Sequence, residues 1–273
     1  MQLLPIKMNM KKTFNQPIGV FDSGLGGLTV LKYLLEYLPN EDFIYLGDLA
    51  NLPYGNKSQE NIIKYSTQCA QFLKSKNVKS IIIACNTASS YAYEIIKESM
   101  SIPVFDVISP CITEIINGKS KKVAILGTEK TIQSNIYSQS IKKNNQNIEI
   151  YNKACPLFVP FVEEGFEGTD IANSVIDYYL KDIKQKKIDQ LILGCTHYPI
   201  LIKDLEKYFG KSISILHSGP IIAKILSSKF KHASKSSQTQ SISYYVTDLP
   251  DRFKKYGSKF LSKKINSANL VTI

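Results

Sequence analysis

Two cysteines in the sequence each follow a short apolar run and precede small or polar residues. Cys85 stands in IIIACNTASS (81–90) and Cys195 in QLILGCTHYP (190–199). Inversion of a carbon centre requires that a proton leaves one face and another arrives at the opposite face, so one acid–base group on each side suits this chemistry. A thiolate and a thiol form such a pair, since helix N-termini and hydrogen bonds lower the pKa of cysteine towards the working pH. The pattern predicts a two-thiol site for proton transfer.

Strand-like and helix-like runs alternate along the chain and predict how the two thiols are positioned. The predicted strands are 18–22, 43–48, 80–84, 103–107, 122–128, 148–156, 191–195, 213–219 and 241–248. This βαβα alternation is typical of an α/β fold with parallel sheets. Both cysteines end a strand, and ligands of open α/β sheets bind beyond the carboxyl ends of the strands. Two halves that face each other would therefore bring both thiols into one cleft.

The pattern of strands restarts after residue 110, which predicts two similar α/β domains. The first is expected to be discontinuous and to comprise residues 17–110 and 219–273, because HSGPIIAKIL resembles the earlier DSGLGGLTVL segment. The second domain is expected over residues 111–218. Residues 1–16 are interpreted as a loose lead-in, and the low-complexity stretch 227–241 as an exposed loop.

The basic composition does not predict a nucleic-acid partner. The formal net charge is +11, but Arg252 is the only arginine, whereas surfaces that read bases use arginine forks. A carboxylate ligand would therefore be bound by backbone N–H groups and Ser, Thr or Asn side chains. No run approaches the roughly 18 apolar residues of a membrane span. Five cysteines without dense spacing favour the reducing cytoplasm.

Six segments in order resemble the cofactor-independent aspartate/glutamate racemase family: VFDSGLGG, YLGDLANLPYG, ACNTAS, GTEKTIQS, FVPFVEEG and LGCTHYP. The resemblance runs from about residue 17 to the C-terminal helix. It implies two pseudo-symmetric flavodoxin-like domains with the active site between them, no cofactor, and a homodimer. The DSG, PYG and CTHYP segments match the branch of the family that acts on glutamate. The implied activity is racemisation of L- and D-glutamate, which supplies D-glutamate for peptidoglycan.

The resemblance also implies the catalytic residues. Cys85 and Cys195 match the two catalytic cysteines of the family, with Cys85 acting on D-glutamate and Cys195 on L-glutamate. Asp22 is implied as the carboxylate that assists Cys85. His197 is implied as the proton partner of Cys195, and Glu163 as the carboxylate that orients His197. No further His/Cys cluster completes a metal site around the Cys-x-His spacing, so no metal is expected.

The implied substrate-binding residues are Asp22, Ser23, Tyr54, Gly55, Asn86, Thr87, Thr128, Thr131, Thr196 and His197. Structural interpretations remain open for several of them. GLGG and PYG are also compatible with ordinary turns, and Thr128 and Thr131 with helix caps. The other cysteines, Cys69, Cys111 and Cys155, are interpreted as buried and inert, and His217 and His232 as structural.

Three alternatives to a glutamate racemase remain. An aspartate or broad-specificity racemase of the same family would use the same two thiols. A non-catalytic module that binds a small anion at SGLGG has no use for the cysteine pair, and a dithiol redox protein would join the two cysteines in a disulfide. Two positions depart from the family pattern: Ser109 and His217 stand where many members carry Glu and Asp.

Overall fold

The structure is a computed structural model that describes residues 16–210, 213–230 and 240–273. The predicted lead-in 1–16 lies outside the described residues except for Gln16, and so do His232 and most of the predicted loop 227–241. No helix in the described ranges is long and apolar enough to cross a membrane.

The strands are short and apolar, and they pair in parallel into two sheets. In chain order they are β1 (Ile18–Asp22), β2 (Phe43–Gly47), β3 (Ser80–Ile83), β4 (Val104–Asp106), β5 (Lys122–Gly127), β6 (Glu149–Ala154), β7 (Gln190–Gly194), β8 (Ser214–His217), β9 (Ile242–Val246) and β10 (Asn269–Leu270). The strands β1, β2, β3 and β7 are buried along their whole length, as expected for parallel strands that are covered on both faces.

The two sheets share a strand order. The first sheet has the order β10-β9-β2-β1-β3-β4 and the second β6-β5-β7-β8, and every pairing in both is parallel. Counted within each half, four strands follow the order 2-1-3-4 of flavodoxin-like folds. This confirms the predicted fold class of two α/β units with parallel sheets.

Eleven α-helices occur in the described part of the chain. They are α1 (Leu28–Tyr37), α2 (Gln59–Ser75), α3 (Asn86–Ser99), α4 (Ile108–Asn117), α5 (Glu129–Gln133), α6 (Ile136–Asn144), α7 (Phe158–Glu163), α8 (Asp170–Gln185), α9 (Ile202–Phe209), α10 (Ser218–Lys229) and α11 (Pro250–Leu261). Ser58 is the N-terminal cap residue of α2, because its side chain accepts a hydrogen bond from the Asn61 N–H.

Some local predictions were wrong or incomplete. The polar residues after Cys85 form the first turn of α3, which begins at Asn86. Pro110 lies in the first turn of α4, where a missing N–H costs nothing. The sequence interpretation missed α4, α6, α9 and β10.

The largest apolar cluster spans both halves of the molecule. It joins Leu25 and Leu28, which follow β1 of the first sheet, to Tyr198 and Leu201, which follow β7 of the second sheet. Two further clusters are confined to the outer face of one sheet each. Because burial of apolar area drives association, this shared core holds the carboxyl ends of the two sheets against each other.

Candidate active site

A cavity of about 350 Å³ lies between the carboxyl ends of the two sheets. Its lining comprises Ser23, Gly24, Leu52, Pro53, Tyr54, Gly55, Asn56, Cys85, Asn86, Thr87, Thr128, Pro156, Val159, Pro160, Glu163, Cys195, Thr196 and His197. Eleven of the predicted site residues are among them; Asp22 and Thr131 are not. Neither a lysine nor an arginine contributes to this lining.

The first thiol, Cys85, directly follows β3 and is the N-terminal cap residue of α3. Its side chain is nearly buried, and Sγ lies 3.6 Å from the Ser23 hydroxyl oxygen. Burial and the nearby Asp22 carboxylate raise the pKa of Cys85 to about 12, although the Ala88 N–H and Ser23 act in the opposite direction. The prediction that the helix N-terminus lowers this pKa was therefore wrong, because desolvation outweighs the helix terminus.

Asp22 lies behind this thiol rather than in the cavity. Its carboxylate is fully buried and accepts hydrogen bonds from the Gly24 N–H (2.9 Å) and the Thr196 hydroxyl (3.2 Å). Burial raises the pKa of Asp22, while the charge of His197 and these hydrogen bonds lower it. The geometry thus gives no support to direct contact between Asp22 and a ligand.

The second thiol, Cys195, follows β7, the strand that corresponds to β3 in the other sheet. Its Sγ lies 4.0 Å from Nδ1 of His197, and Nε2 of His197 lies 3.0 Å from Oε1 of Glu163. Burial alone lowers the pKa of His197, but the bonds to Cys195 and Glu163 raise it to about 10. An imidazolium at neutral pH therefore lies beside Cys195.

Glu163 has a second cationic neighbour on the C-terminal helix α11. Burial raises the pKa of Glu163, but the hydrogen bond and charge of His197 and the charge of Arg252 lower it overall. Arg252 Nη2 lies 3.5 Å from Glu163 Oε2, and the Phe260 ring packs edge-on against His197 with centroids 5.3 Å apart. The single arginine therefore acts outside the cavity, on the residue behind the histidine.

Three threonine hydroxyls meet across the cleft. The Thr87 oxygen lies 2.9 Å from that of Thr128 and 3.2 Å from that of Thr131, and the latter two lie 3.0 Å apart. Thr128 is also the N-cap of α5, since its hydroxyl accepts from the Thr131 N–H. The two interpretations of Thr128 are thus compatible, because one hydroxyl both caps a helix and lines the cavity.

The loop after β2 closes one side of the cavity. The Tyr54 hydroxyl does not point to a ligand but donates to the buried Asp48 carboxylate at 2.6 Å. At Gly55 a Cβ would lie 2.8 Å from Cβ of Thr128. The missing side chain therefore lets this loop approach the opposite half of the molecule.

Contacts across the cleft include residues that the sequence interpretation missed. Thr29 Oγ1 donates to the Thr196 carbonyl at 2.8 Å. A Cβ on Gly26 would lie 2.2 Å from Thr196 Oγ1 and 2.5 Å from His197 Nδ1. The sequence analysis considered Gly26 only as part of the GLGG segment. No sequence signal reveals which residue of the other half approaches it.

The remaining thiols and potential ligands lie apart from this site. Cys69, Cys111 and Cys155 are buried, and all five cysteines are free. His217 is buried against the Tyr33 ring, and burial lowers its pKa to about 4. Among the described residues, no group of three or more His, Cys, Asp or Glu side chains could hold a metal ion.

The fold and the cavity define a class of protein: two flavodoxin-like units that place one thiol on each wall of a shared cleft. Residues 18–226 match the family model described as Asp/Glu/Hydantoin racemase. The glutamate racemase of Aquifex aeolicus is 43% identical over 249 residues, which cover 91% of this chain and 95% of the relative. That of Geobacter metallireducens is 38% identical and covers 94% of this chain and 96% of its own.

Among solved structures, glutamate racemase from Francisella tularensis in complex with D-glutamate superposes with a TM-score of 0.88. It is 41% identical and covers 95% of this chain and 98% of its own. The chain belongs to the Asp/Glu/Hydantoin racemase family. It is an amino-acid racemase, an isomerase.

Proposed function

We propose that the enzyme interconverts L- and D-glutamate by a two-base mechanism in which Cys85 and Cys195 are the acid–base pair. The observation that carries the proposal is the presence of both thiols in the lining of one cavity, each at the end of the corresponding strand of its sheet. The substrate follows from the curated relatives and from the related structure that holds D-glutamate.

In the direction from L- to D-glutamate, the Cys195 thiolate removes the α-proton. The Cα–H bond breaks, its electron pair delocalises into the α-carboxylate, and Cys85 delivers its thiol proton to the opposite face of Cα. The reverse direction exchanges the two roles. Fixed hydrogen-bond donors stabilise the charge that develops on the carboxylate.

The protonation states support this starting point. Because the pKa of Cys85 is raised to about 12 and that of His197 to about 10, Cys85 is a thiol at neutral pH and a cation lies beside Cys195. A thiol at Cys85 is the proton donor that the direction from L- to D-glutamate requires. The reverse direction requires the thiolate form of Cys85.

Neutral donors would hold the two carboxylates of the substrate. The hydroxyls of Ser23, Thr87, Thr128 and Thr196 and the amide of Asn86 all belong to residues of the cavity lining. Such donors orient an anion without the large desolvation cost of burying a lysine or arginine.

We extend the proposal to the biological setting. D-glutamate would be supplied for peptidoglycan, and rescue of a bacterial strain that requires D-glutamate tests this role. A cytoplasmic location fits two thiols that must stay reduced, and a homodimer remains a prediction. The domain division at residues 17–110 with 219–273 and at 111–218 is supported by the strands, since each sheet draws only on its own part.

The test is incubation of fully reduced protein with L-glutamate in D₂O without added cofactor. Loss of optical activity with deuterium at Cα is expected, and both Cys85→Ser and Cys195→Ser should strongly reduce the loss of optical activity. If glutamate is inert and aspartate reacts, the substrate assignment is wrong. If both are inert, the catalytic proposal fails.

A further inference from the structure

Asn86 carries an unused hydrogen-bond donor next to the first thiol. It is the first residue of α3, it lines the cavity beside Cys85, and it is only 2% exposed. Its amide nitrogen, Nδ2, is buried and has no hydrogen-bond partner among the described residues. A buried donor without a partner is costly, so this atom indicates a ligand that completes its hydrogen bonds.

The amide oxygen of Asn86 is held from the other half of the molecule. Tyr137, on α6, is 3% exposed, and its hydroxyl donates to Oδ1 of Asn86 at 2.8 Å. Burial raises the pKa of Tyr137 well above its usual range, so the hydroxyl stays protonated and remains a donor. With the amide turned over, the phenol proton would lose this acceptor and be buried without one.

We propose that Tyr137 is a positioning residue that fixes the orientation of the Asn86 amide, so that Nδ2 points to the substrate and binds a carboxylate oxygen. This inference rests on the proposed glutamate racemisation. An amide N–H can only donate a hydrogen bond. The ligand atom opposite Nδ2 is therefore an acceptor, and the carboxylate oxygens are the acceptors that glutamate offers.

The contact also connects the two halves. Asn86 follows β3 in the first sheet, and Tyr137 lies between β5 and β6 of the second. The orientation of Asn86 therefore depends on a side chain that the other half supplies.

The test compares Tyr137→Phe, which keeps the ring and removes only the hydroxyl, with wild type and with Tyr151→Phe. The Tyr151 hydroxyl bonds to Glu149 at 2.7 Å, outside the cavity lining, so its loss is a matched control. For Tyr137→Phe we expect KM for both enantiomers to rise about tenfold with a smaller change in kcat, as for loss of ground-state binding. Thermal unfolding of each variant reports separately on folding.

A double-mutant cycle separates positioning from general destabilisation. In an Asn86→Ala background, Tyr137→Phe should cost little further in KM, since it acts through Asn86. Additive losses, or an unchanged KM in Tyr137→Phe, would overturn the inference. Asn86→Asp is a second variant that keeps the acceptor for Tyr137 and replaces the donor with an oxygen; wild-type KM in this variant would also overturn it.

Failure of the underlying function is distinguishable from failure of this inference. If wild-type protein does not racemise glutamate in the same assay, the proposed function is wrong. If wild type is active and the Tyr137 and Asn86 variants match it, only the positioning role is wrong.

Discussion

The Cys85 wall and the Cys195 wall of the cleft place the same side chain in opposite electrostatic surroundings. Both thiols leave the corresponding strand of a 2-1-3-4 sheet. Burial and the Asp22 carboxylate behind Cys85 raise the pKa of this thiol. Beside Cys195 lies His197, which is hydrogen-bonded to Glu163 and has a raised pKa. The repeated fold therefore positions the thiols alike, whereas a buried carboxylate lies near one thiol and an imidazolium lies beside the other.

This asymmetry is compatible with a symmetric reaction. Enantiomers have equal free energies in water, so the equilibrium constant of racemisation is one and kcat/KM must be equal in both directions. A substitution on one wall therefore lowers kcat/KM equally in both directions. Differences between the walls are visible only in the α-proton exchange of a single enantiomer, in pH profiles, and in the separate values of kcat and KM.

The largest expected effect comes from removal of one thiol at a time. Cys85→Ala and Cys195→Ala should each lower racemisation by about 10²- to 10⁴-fold, the usual contribution of a general acid or base. The Cys85→Ala variant retains Cys195 and should still exchange the α-proton of L-glutamate in D₂O. The Cys195→Ala variant retains Cys85 and should still exchange the α-proton of D-glutamate. Proton NMR of each enantiomer measures this.

Cys111→Ala is the matched control, since this thiol is buried away from the cavity. Exchange of the same enantiomer in both single-thiol variants would contradict the assignment of one thiol to each face.

Gly26→Ala tests whether the Cys195 wall depends on its close approach to the first half. The added Cβ would overlap Thr196 Oγ1 and His197 Nδ1 and displace the turn that carries Cys195. A misplacement of about 1 Å can cost roughly a hundredfold in rate, so kcat/KM should fall by about that factor. Gly118→Ala is the control, because Gly118 follows α4 outside the cavity lining and its added Cβ would lie no closer than 3.2 Å from the Glu114 carbonyl oxygen. Equal activity of both variants would contradict close packing at Gly26.

Glu163→Gln tests the charge on the Cys195 wall. His197 is protonated below its pKa of about 10 and loses its charge as the pH rises through that value. Without the Glu163 carboxylate this pKa falls, so the alkaline decline of kcat/KM should begin at lower pH. Because a charged hydrogen bond contributes about 1.5–3 kcal/mol, we expect about a tenfold loss at about pH 8.

A pH–rate profile measures the change, with Glu164→Gln as the neighbouring control. Glu164 also pairs with Arg252, at 3.8 Å, but is largely exposed. A Glu163→Gln profile that superposes on the wild-type profile would show that the carboxylate does not control His197.

The smallest expected effect is that of Arg252→Gln. The guanidinium is 43% exposed and 3.5 Å from Glu163, and exposed ion pairs contribute at most about 1 kcal/mol. We expect kcat/KM to fall by about fivefold or less, with no large shift of the pH profile. Lys254→Gln on the same helix removes a cation that pairs with Asp251 instead and serves as control. A loss equal to that of Glu163→Gln would make Arg252 as important as the buried pair.

Local sequence signals predicted the strands and placed the candidate site at their carboxyl ends. Apolar runs such as IGVFD and SIIIA need burial on both faces, which only a covered parallel sheet provides. Ser58 and Thr128 could be recognised as helix caps because their hydrogen bonds reach only three residues along the chain. The helix α6 was missed because its polar sequence shows only weak periodicity, and with it the contribution of Tyr137.

By itself, the sequence determined two α/β halves and a thiol at the end of one strand in each, and its single arginine favoured a ligand site without arginine. These properties depend on residue type and short-range periodicity. Only the tertiary structure decided that Asp22 lies behind Cys85 and outside the cavity, that the pKa of Cys85 is raised, and that Tyr137 holds Asn86. These outcomes depend on burial and on contacts across the cleft between residues distant in sequence, which no local pattern encodes.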